Sequence, residues 1–261
     1  RAITPEGYIS WVSSGSITYM DKAEFDAYQA AKKVIVTTKY ATMYEGPSAN
    51  SQMVSDVVWG NILLDKGTQG AWQKVAISDG REGYVLKSDV TDFNKWLDSR
   101  NPTAENIIAT AKQFIGVPYM WGGTSIKAVD CSGFCKSTYF LNGIVLARDA
   151  SQQCLTGDNV DISKYVDGGE HTREALANLK KGDLIFFGTK ATAEKKERIT
   201  HVGIYIEDGI FIHSATKVRI NSLVPGDANY YDGSKRLVRA QRILGNVDAG
   251  KDIWSIQKFY K

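Results

Sequence analysis

Cysteine, histidine and proline are scarce in this chain of 261 residues, with three, three and five copies respectively. Three cysteines, at 131, 135 and 154, cannot close the paired disulfide framework that staples small secreted domains, so at least one free thiol is expected. No apolar run approaches the roughly 18 to 20 residues that cross a bilayer, so no helical membrane span is expected. An excess of one charge sign is also missing. The 32 basic and 29 acidic residues leave +3, too little for a nucleic-acid footprint. The densest basic run, AEKKERIT at 193–200, mixes both signs and reads as a solvated loop. The first ten residues, RAITPEGYIS, lack the regions of a secretory signal, which leaves export open because signals are removed.

What remains is ordinary globular material, 43% apolar and 23% charged, long enough for one large domain or two smaller ones. Residues 35–92 read as short strands punctuated by Gly, Pro, Asn and Asp, the pattern of a small β-barrel. Order and spacing there resemble the bacterial SH3-like domain, whose last turn typically reads Gly-Tyr or Gly-Trp followed by Val, as Gly83-Tyr84-Val85 does. Gly7-Tyr8-Ile9 looks like the same turn in an earlier copy. Residues 1–34 are therefore expected to be the end of a first barrel, with its front before residue 1, followed by a helical linker at DKAEFDAYQAAKK.

From residue 100 to 261 the pattern changes to helices followed by an antiparallel sheet, an α+β order. Thr103 precedes a helix in which Ile107, Ile108, Ala111, Phe114 and Ile115 form one apolar stripe, and Gly116 suits its C-terminal cap. Asp130 is an N-cap type for a second helix, from about Cys131 to Asn142. Strands are expected at DLIFFG, HVGIYI, GIFIHSA, KVRINS and LVRAQRIL.

Capping by Asp130 places Cys131 in a first helical turn, where free N–H groups and the helix dipole favour an anion. A lowered thiol pKa and a ready oxyanion site are expected there. Cys135, one turn on, reads as core, Cys154 as packing, and His171 as a surface residue. A zinc site from the cysteine pair and two histidines has weak spacing, and no metal is expected. Strand parity puts His201, Gly203 and Tyr205 on one face, and Phe211 and His213 on one face of the next strand. A two-residue turn at Asp208-Gly209 would set the histidines on opposite faces. A three-residue loop from Glu207 to Gly209 pairs Gly203 with His213 and makes the histidines diagonal neighbours, ~7 to 8 Å apart at the backbone. The odd loop is the expectation. It leaves His213 to orient His201, whose other nitrogen faces Cys131.

These residues resemble the NlpC-type cysteine peptidases, the NlpC and p-sixty family of bacterial cell-wall enzymes with a papain-like core. GVPYMWGGTSIKAVDCSGF, ARDASQQ, GDLIFFG, THVGIYI and FIHSA carry the likeness over most of residues 104–216, and VRINSL, NYYD and RLVRAQRIL extend it to 243. The resemblance implies Cys131 as nucleophile, His201 as base and His213 as third member, with no cofactor. Upstream SH3-like barrels are similar to the subgroup that cleaves the γ-D-glutamyl to diamino acid bond of peptides with free N-terminal L-alanine. That likeness implies substrate-lining roles for Tyr119, Trp121, Asp130, Ser132 and Arg148. Asp130 would pair with a peptide ammonium, Arg148 would fork onto a carboxylate, and Tyr119 would support the oxyanion. Tyr8 or Trp11 would supply a cleft-closing aromatic. Ala150 stands where the subgroup often has a hydroxyl.

The sequence thus points to an endopeptidase acting as a monomer on peptidoglycan or muropeptides, in the cell envelope or in cytoplasmic recycling. A wall-binding protein with an inert core, and an amidase or acyltransferase on the same core, are the alternatives. The complete Cys, His, His set speaks against inertness, since the loss of any one would have sufficed.

Overall fold

In the computed structural model, which describes residues 1–260, the β-branched runs between residues 33 and 92 form seven antiparallel strands. They are β1 Lys33–Val36, β2 Tyr40–Tyr44, β3 Met53–Val58, β4 Ile62–Gln69, β5 Trp72–Ala76, β6 Glu82–Leu86 and β7 Val90–Asp92, in spatial order β3-β2-β6-β5-β4-β1-β7. Alternate residues point inward, and Val34, Val36, Met43, Val57, Leu63, Val75 and Val85 make the core. Gly83 is required by close approach. A Cβ there would stand 2.6 Å from Met43 Cγ and 2.7 Å from the Tyr44 carbonyl oxygen. Before the sheet, α1 Lys22–Ala30 starts at a capping box between Asp21 and Glu24, on the stretch read as helical. Near the chain start, Ala2–Ile3 pairs with Ile9–Ser10.

Two compact units are present. Arg1–Thr4 and Ile9–Arg100 belong to the first, Pro5–Tyr8 and Asn101–Phe259 to the second. After the sheet comes α2 Phe93–Asp98, and in the second unit α3 Ala104–Lys112 is capped by the Thr103 side chain and buries Ile107, Ile108 and Ala111. Ile115, expected on that stripe, is instead 51% exposed. The helix has ended by then, and the chain tightens through three-residue hydrogen bonds at Gln113, Phe114 and Ile115, which turn Ile115 off the buried face. Gly116 follows at φ +88°, as its expected capping role requires.

The second helix, α4 Cys131–Phe140, packs on a six-stranded antiparallel sheet. Its strands are β8 Asp158–Val160, β9 Leu184–Thr189, β10 Arg198–Glu207, β11 Ile210–Ala215, β12 Lys217–Ser222 and β13 Leu237–Arg242, ordered β8-β13-β9-β10-β11-β12. Mixed helices and antiparallel sheet are the α+β architecture read from the sequence. One sheet face, with Ile185, Phe187, Tyr205, Phe211 and Ala240, joins Val160, Tyr165 and Leu176 in an apolar core.

The β10–β11 hairpin corrects the sequence reading in an instructive way. Gly203 does pair with His213, but the connection is the two-residue turn, not the three-residue loop. Glu207 pairs with Ile210, and Asp208 and Gly209 both adopt positive φ, 56° and 78°. A β-bulge between Tyr205 and Glu207 inserts the extra residue that restores the parity. Two devices, each reversing the faces, together leave them as needed.

Replacing Gly83 by Ala forces its new methyl against backbone. We expect a loss of about 1 to 3 kcal/mol from the β-sheet unit in denaturant unfolding; an unchanged midpoint would contradict the close approach described.

Candidate functional site

Asp130 starts the site. Its Oδ1 accepts the Gly133 amide at 2.7 Å, which caps α4 and leaves Cys131 as the first helical residue. The preceding loop is pressed against the helix. A Cβ at Gly133 would lie 2.0 Å from the Gly123 carbonyl oxygen, so only glycine lets Cys131 sit where it does. The same carboxylate accepts the Gly122 amide at 2.8 Å and the Ser132 hydroxyl at 3.2 Å. Arg148 closes a fork on it, with Nη2 to Oδ2 at 2.7 Å and Nη1 to Oδ1 at 3.2 Å, and Nη1 also reaches Ser132 Oγ at 3.1 Å.

That fork changes the expectation drawn from the resemblance. Asp130 and Arg148, expected to hold opposite ends of a substrate, hold each other. Burial works against the Asp130 carboxylate, but the Arg148 guanidinium and the backbone donors outweigh it and keep its pKa below the usual value. The pair is a charge-assisted, bidentate lock on the start of the helix.

Cys131 is 9% exposed. Burial pushes its pKa up, the Asp130 charge pushes it further, and backbone N–H groups of Val202, Ser132 and Cys131 itself only partly offset them. This corrects the expectation of a lowered thiol pKa, because the dipole argument omits both the dry surroundings and the anionic cap next door. The Val202 contact also ties the start of the helix to the sheet. It lies one residue from His201, on a stretch of β10 where β11 no longer pairs, since Gly203 with His213 is the last pair at that end.

On the sheet, His201 Nε2 and His213 Nδ1 are 2.7 Å apart, and His213 Nε2 is 3.0 Å from Asn221 Oδ1. Asn221 Nδ2 donates to the Asn229 carbonyl at 2.8 Å. A carbonyl only accepts, so this last bond fixes the direction of the whole chain. Asn221 must present its oxygen to His213, so His213 carries its proton on Nε2. Its bare Nδ1 then accepts from His201 Nε2–H, and His201 keeps Nδ1 unprotonated, as a base requires. With both nitrogens of His213 engaged, that ring has no lone pair left for a metal.

The surroundings keep both rings neutral. Phe187, Phe211 and Tyr231 pack around them, with His213 to Tyr231 at 4.8 Å, His213 to Phe211 at 4.7 Å and His201 to Phe187 at 5.6 Å between centroids. Desolvation lowers His201 to about 3, helped by His213, Arg236 and Arg219, and lowers His213 to about 4. Gly203 supplies the space. A Cβ there would meet the Phe211 ring at 2.9 Å and His213 Cβ at 3.1 Å, the emptiness over His213 that the pairing argument requires.

Other singled-out residues divide. Tyr119 lies close enough to feel the Cys131 and Asp130 charges, which, after burial, raise its hydroxyl pKa. Its amide donates to the Thr216 carbonyl at 2.8 Å. Trp121 is 87% exposed. Tyr8, in the same unit, lies within electrostatic reach of Arg148. Trp11 belongs to the other unit and is exposed there. Cys135, Cys154 and Ala150 are buried. His171 is not simply a surface residue, because it stacks on Tyr165 at 4.7 Å. Sequence reasoning missed Asn221 and Tyr231. Both lie in stretches that carry the family likeness, VRINSL and NYYD, which gave neither a role; parity reaches Asn221 only once the reversal at Thr216 is known.

Residues 116–239 match the NlpC/P60 family. A solved NlpC/P60 family protein from Bacillus cereus is 30% identical and superimposes with a TM-score of 0.69, covering 92% of this chain and 72% of that one. The chain belongs to the NlpC/P60 family. This NlpC/P60 chain is also similar to the gamma-D-glutamyl-L-lysine dipeptidyl-peptidases of Bacillus cereus and Bacillus subtilis, at 33% and 30% identity over 88% and 80% of its length. It spans 65% and 61% of those two relatives.

Neutral burial of the histidines makes stability pH-dependent. Below the ordinary histidine value of 6.5 the unfolded chain takes up protons that the folded protein refuses until about 4 or lower, so stability is lost as pH falls through that window. For His213 the loss is on the order of 3 kcal/mol. Urea unfolding at pH 7 and pH 4 should show it, and His213→Gln should remove about that much of the difference. An unchanged difference in the variant would contradict neutral burial.

Proposed function

We propose that this NlpC/P60 protein is a cysteine peptidase that hydrolyses the bond between γ-D-glutamate and a diamino acid in peptidoglycan-derived peptides carrying a free N-terminal L-alanine. The observation that carries this reading is the Asn221, His213, His201 chain, which ends in a bare nitrogen on the strand whose next amide touches the Cys131 sulfur. The names of the two Bacillus relatives support γ-D-glutamyl-L-lysine as the bond, which favours lysine as the diamino acid.

In this reading thiol and base are both neutral at rest, since the one pKa is raised and the other lowered. The proton therefore moves from sulfur to His201 Nδ1 as the sulfur attacks the γ-carbonyl carbon. The backbone N–H groups at the start of α4 and the Tyr119 hydroxyl stabilise the oxyanion. His213 accepts from His201 Nε2–H and holds the imidazolium in register. His201 then gives its proton to the departing amine nitrogen, the C–N bond breaks and an acyl-enzyme remains. Water, deprotonated by His201, attacks the thioester carbonyl, the C–S bond breaks and the thiol regains its proton. Every proton is returned, and no cofactor is consumed.

The Asp130–Arg148 lock, with Ser132, lines the acyl side together with Tyr119, Trp121 and Tyr8. The seven-stranded unit is read as an SH3-like domain suited to the wall polymer. The protein acts in the cell envelope on released peptides, as a monomer.

Mass spectrometry of L-Ala-γ-D-Glu-L-Lys incubated with the protein should show L-Ala-γ-D-Glu and lysine. Cys131→Ala should lower the rate by a factor on the order of 10³ or more, and His201→Ala similarly. Peptidoglycan binding without cleavage by the unsubstituted protein would refute the enzymatic reading and favour an inert wall-binding protein.

A further inference from the structure

Two guanidinium groups flank the histidine pair, and neither has an acidic partner among the described residues. Arg219 on β12 stands directly opposite His213 on β11, so both side chains rise from the same sheet face. Its Nε is buried and makes no hydrogen bond. Arg236 is anchored beside the base itself, its Nη2 donating to Thr200 Oγ1 at 2.8 Å, one residue before His201. Most other arginines of this unit are matched, Arg198 excepted. Arg148, Arg173, Arg239 and Arg242 each pair with a carboxylate. Positive charge next to a base is unfavourable for that base, and both arginines weaken His201's hold on a proton. A partly buried guanidinium with an idle donor costs stability as well. An arrangement unfavourable on both counts is relieved if an anion arrives with the substrate.

The chemistry of the proposed reaction identifies that anion. The amine that leaves takes its proton from His201, so its nitrogen must stand beside that ring. In an amino acid the α-carboxyl carbon is two bonds from the nitrogen, roughly 2.5 Å away. The side-chain carboxylate of diaminopimelate lies several bonds further out. We propose that Arg219 and Arg236 form a carboxylate subsite on the leaving-group side, which takes a free carboxylate of the departing diamino acid. The subsite complements the acyl side, where Asp130 and Arg148 neutralise each other and offer no unpaired cation. Binding there also offsets the two positive charges at the moment His201 must become a cation. The protein would thereby favour peptides that end at the diamino acid, or whose diamino acid carries its own acid group, over chains amidated at that point.

This inference rests on the peptidase reading, and its test separates the two. Three peptides are compared: L-Ala-γ-D-Glu-L-Lys with a free C-terminus, the same peptide as its C-terminal amide, and the diaminopimelate peptide amidated at its α-carboxyl so that only the side-chain carboxylate is free. With the unsubstituted protein, kcat/KM for at least one carboxylate-bearing peptide should exceed that for the lysine amide by about tenfold or more, the scale of one charge-assisted hydrogen bond. Preference for the first peptide assigns the α-carboxylate, and preference for the third the side-chain carboxylate. In Arg219→Gln, and separately in the exposed Arg236→Gln, the ratio should fall below about threefold. The ratio within each variant is unaffected by partial loss of folded protein. Cleavage of all three peptides at equal rates, or a preference unchanged in both variants, would overturn the subsite and leave the peptidase reading standing. No cleavage of any peptide would remove both.

Discussion

The direction of one side-chain amide sets the chemistry of this site. Asn221 donates to the Asn229 carbonyl, and from that single obligation its oxygen faces His213, His213 is protonated on Nε2, and His201 is left with a bare Nδ1. The alternative tautomers would place two donors or two acceptors face to face at 2.7 Å. A buried network is costly when half satisfied. The ring cage of Phe187, Phe211 and Tyr231 raises that cost by excluding water, and the same exclusion holds both imidazoles neutral. Polarity and dryness together give a base that is correctly protonated and ready.

Backbone geometry delivers the side chains to that network. The bulge before the Asp208–Gly209 turn brings His213 opposite Gly203, and Gly203 lacks the Cβ that would displace it. A turn with Thr216 at φ +66° then starts β12, so that Arg219 opposes His213 and Asn221 follows two residues on, on the same face. A left-handed β-branched residue is a strained choice, and its carbonyl accepts the Tyr119 amide at 2.8 Å. On the other side of the reaction centre, Gly133 and the saturated Asp130 carboxylate fix the helix start. Sulfur and base are thus presented by separately locked elements, joined through the Val202 amide.

Much of this is legible in the sequence, and the failures have physical causes. Asp130 as cap and Cys131 as first helical residue follow from local hydrogen-bonding rules. The pairing of Gly203 with His213 follows from parity, but the route to it does not, because a turn and a bulge that cancel leave no trace in the count of faces. Asn221 stays hidden because nothing in Ala215-Thr216-Lys217 announces so tight a reversal. The Asp130–Arg148 pair joins residues 18 apart, and only folding reveals that each satisfies the other. The thiol is misjudged by weighing the helix dipole alone, when burial is the larger effect and the cap adds a negative charge.

Nitrogen-15 NMR of the histidine rings at pH 7 tests the central claim most directly, because a protonated and a bare ring nitrogen resonate far apart. Both His201 and His213 should be neutral, each with its proton on Nε2 and a bare Nδ1, and Asn221→Leu should release His213 from that tautomer. A proton found on Nδ1 of His201, or an imidazolium at either ring, would contradict the account.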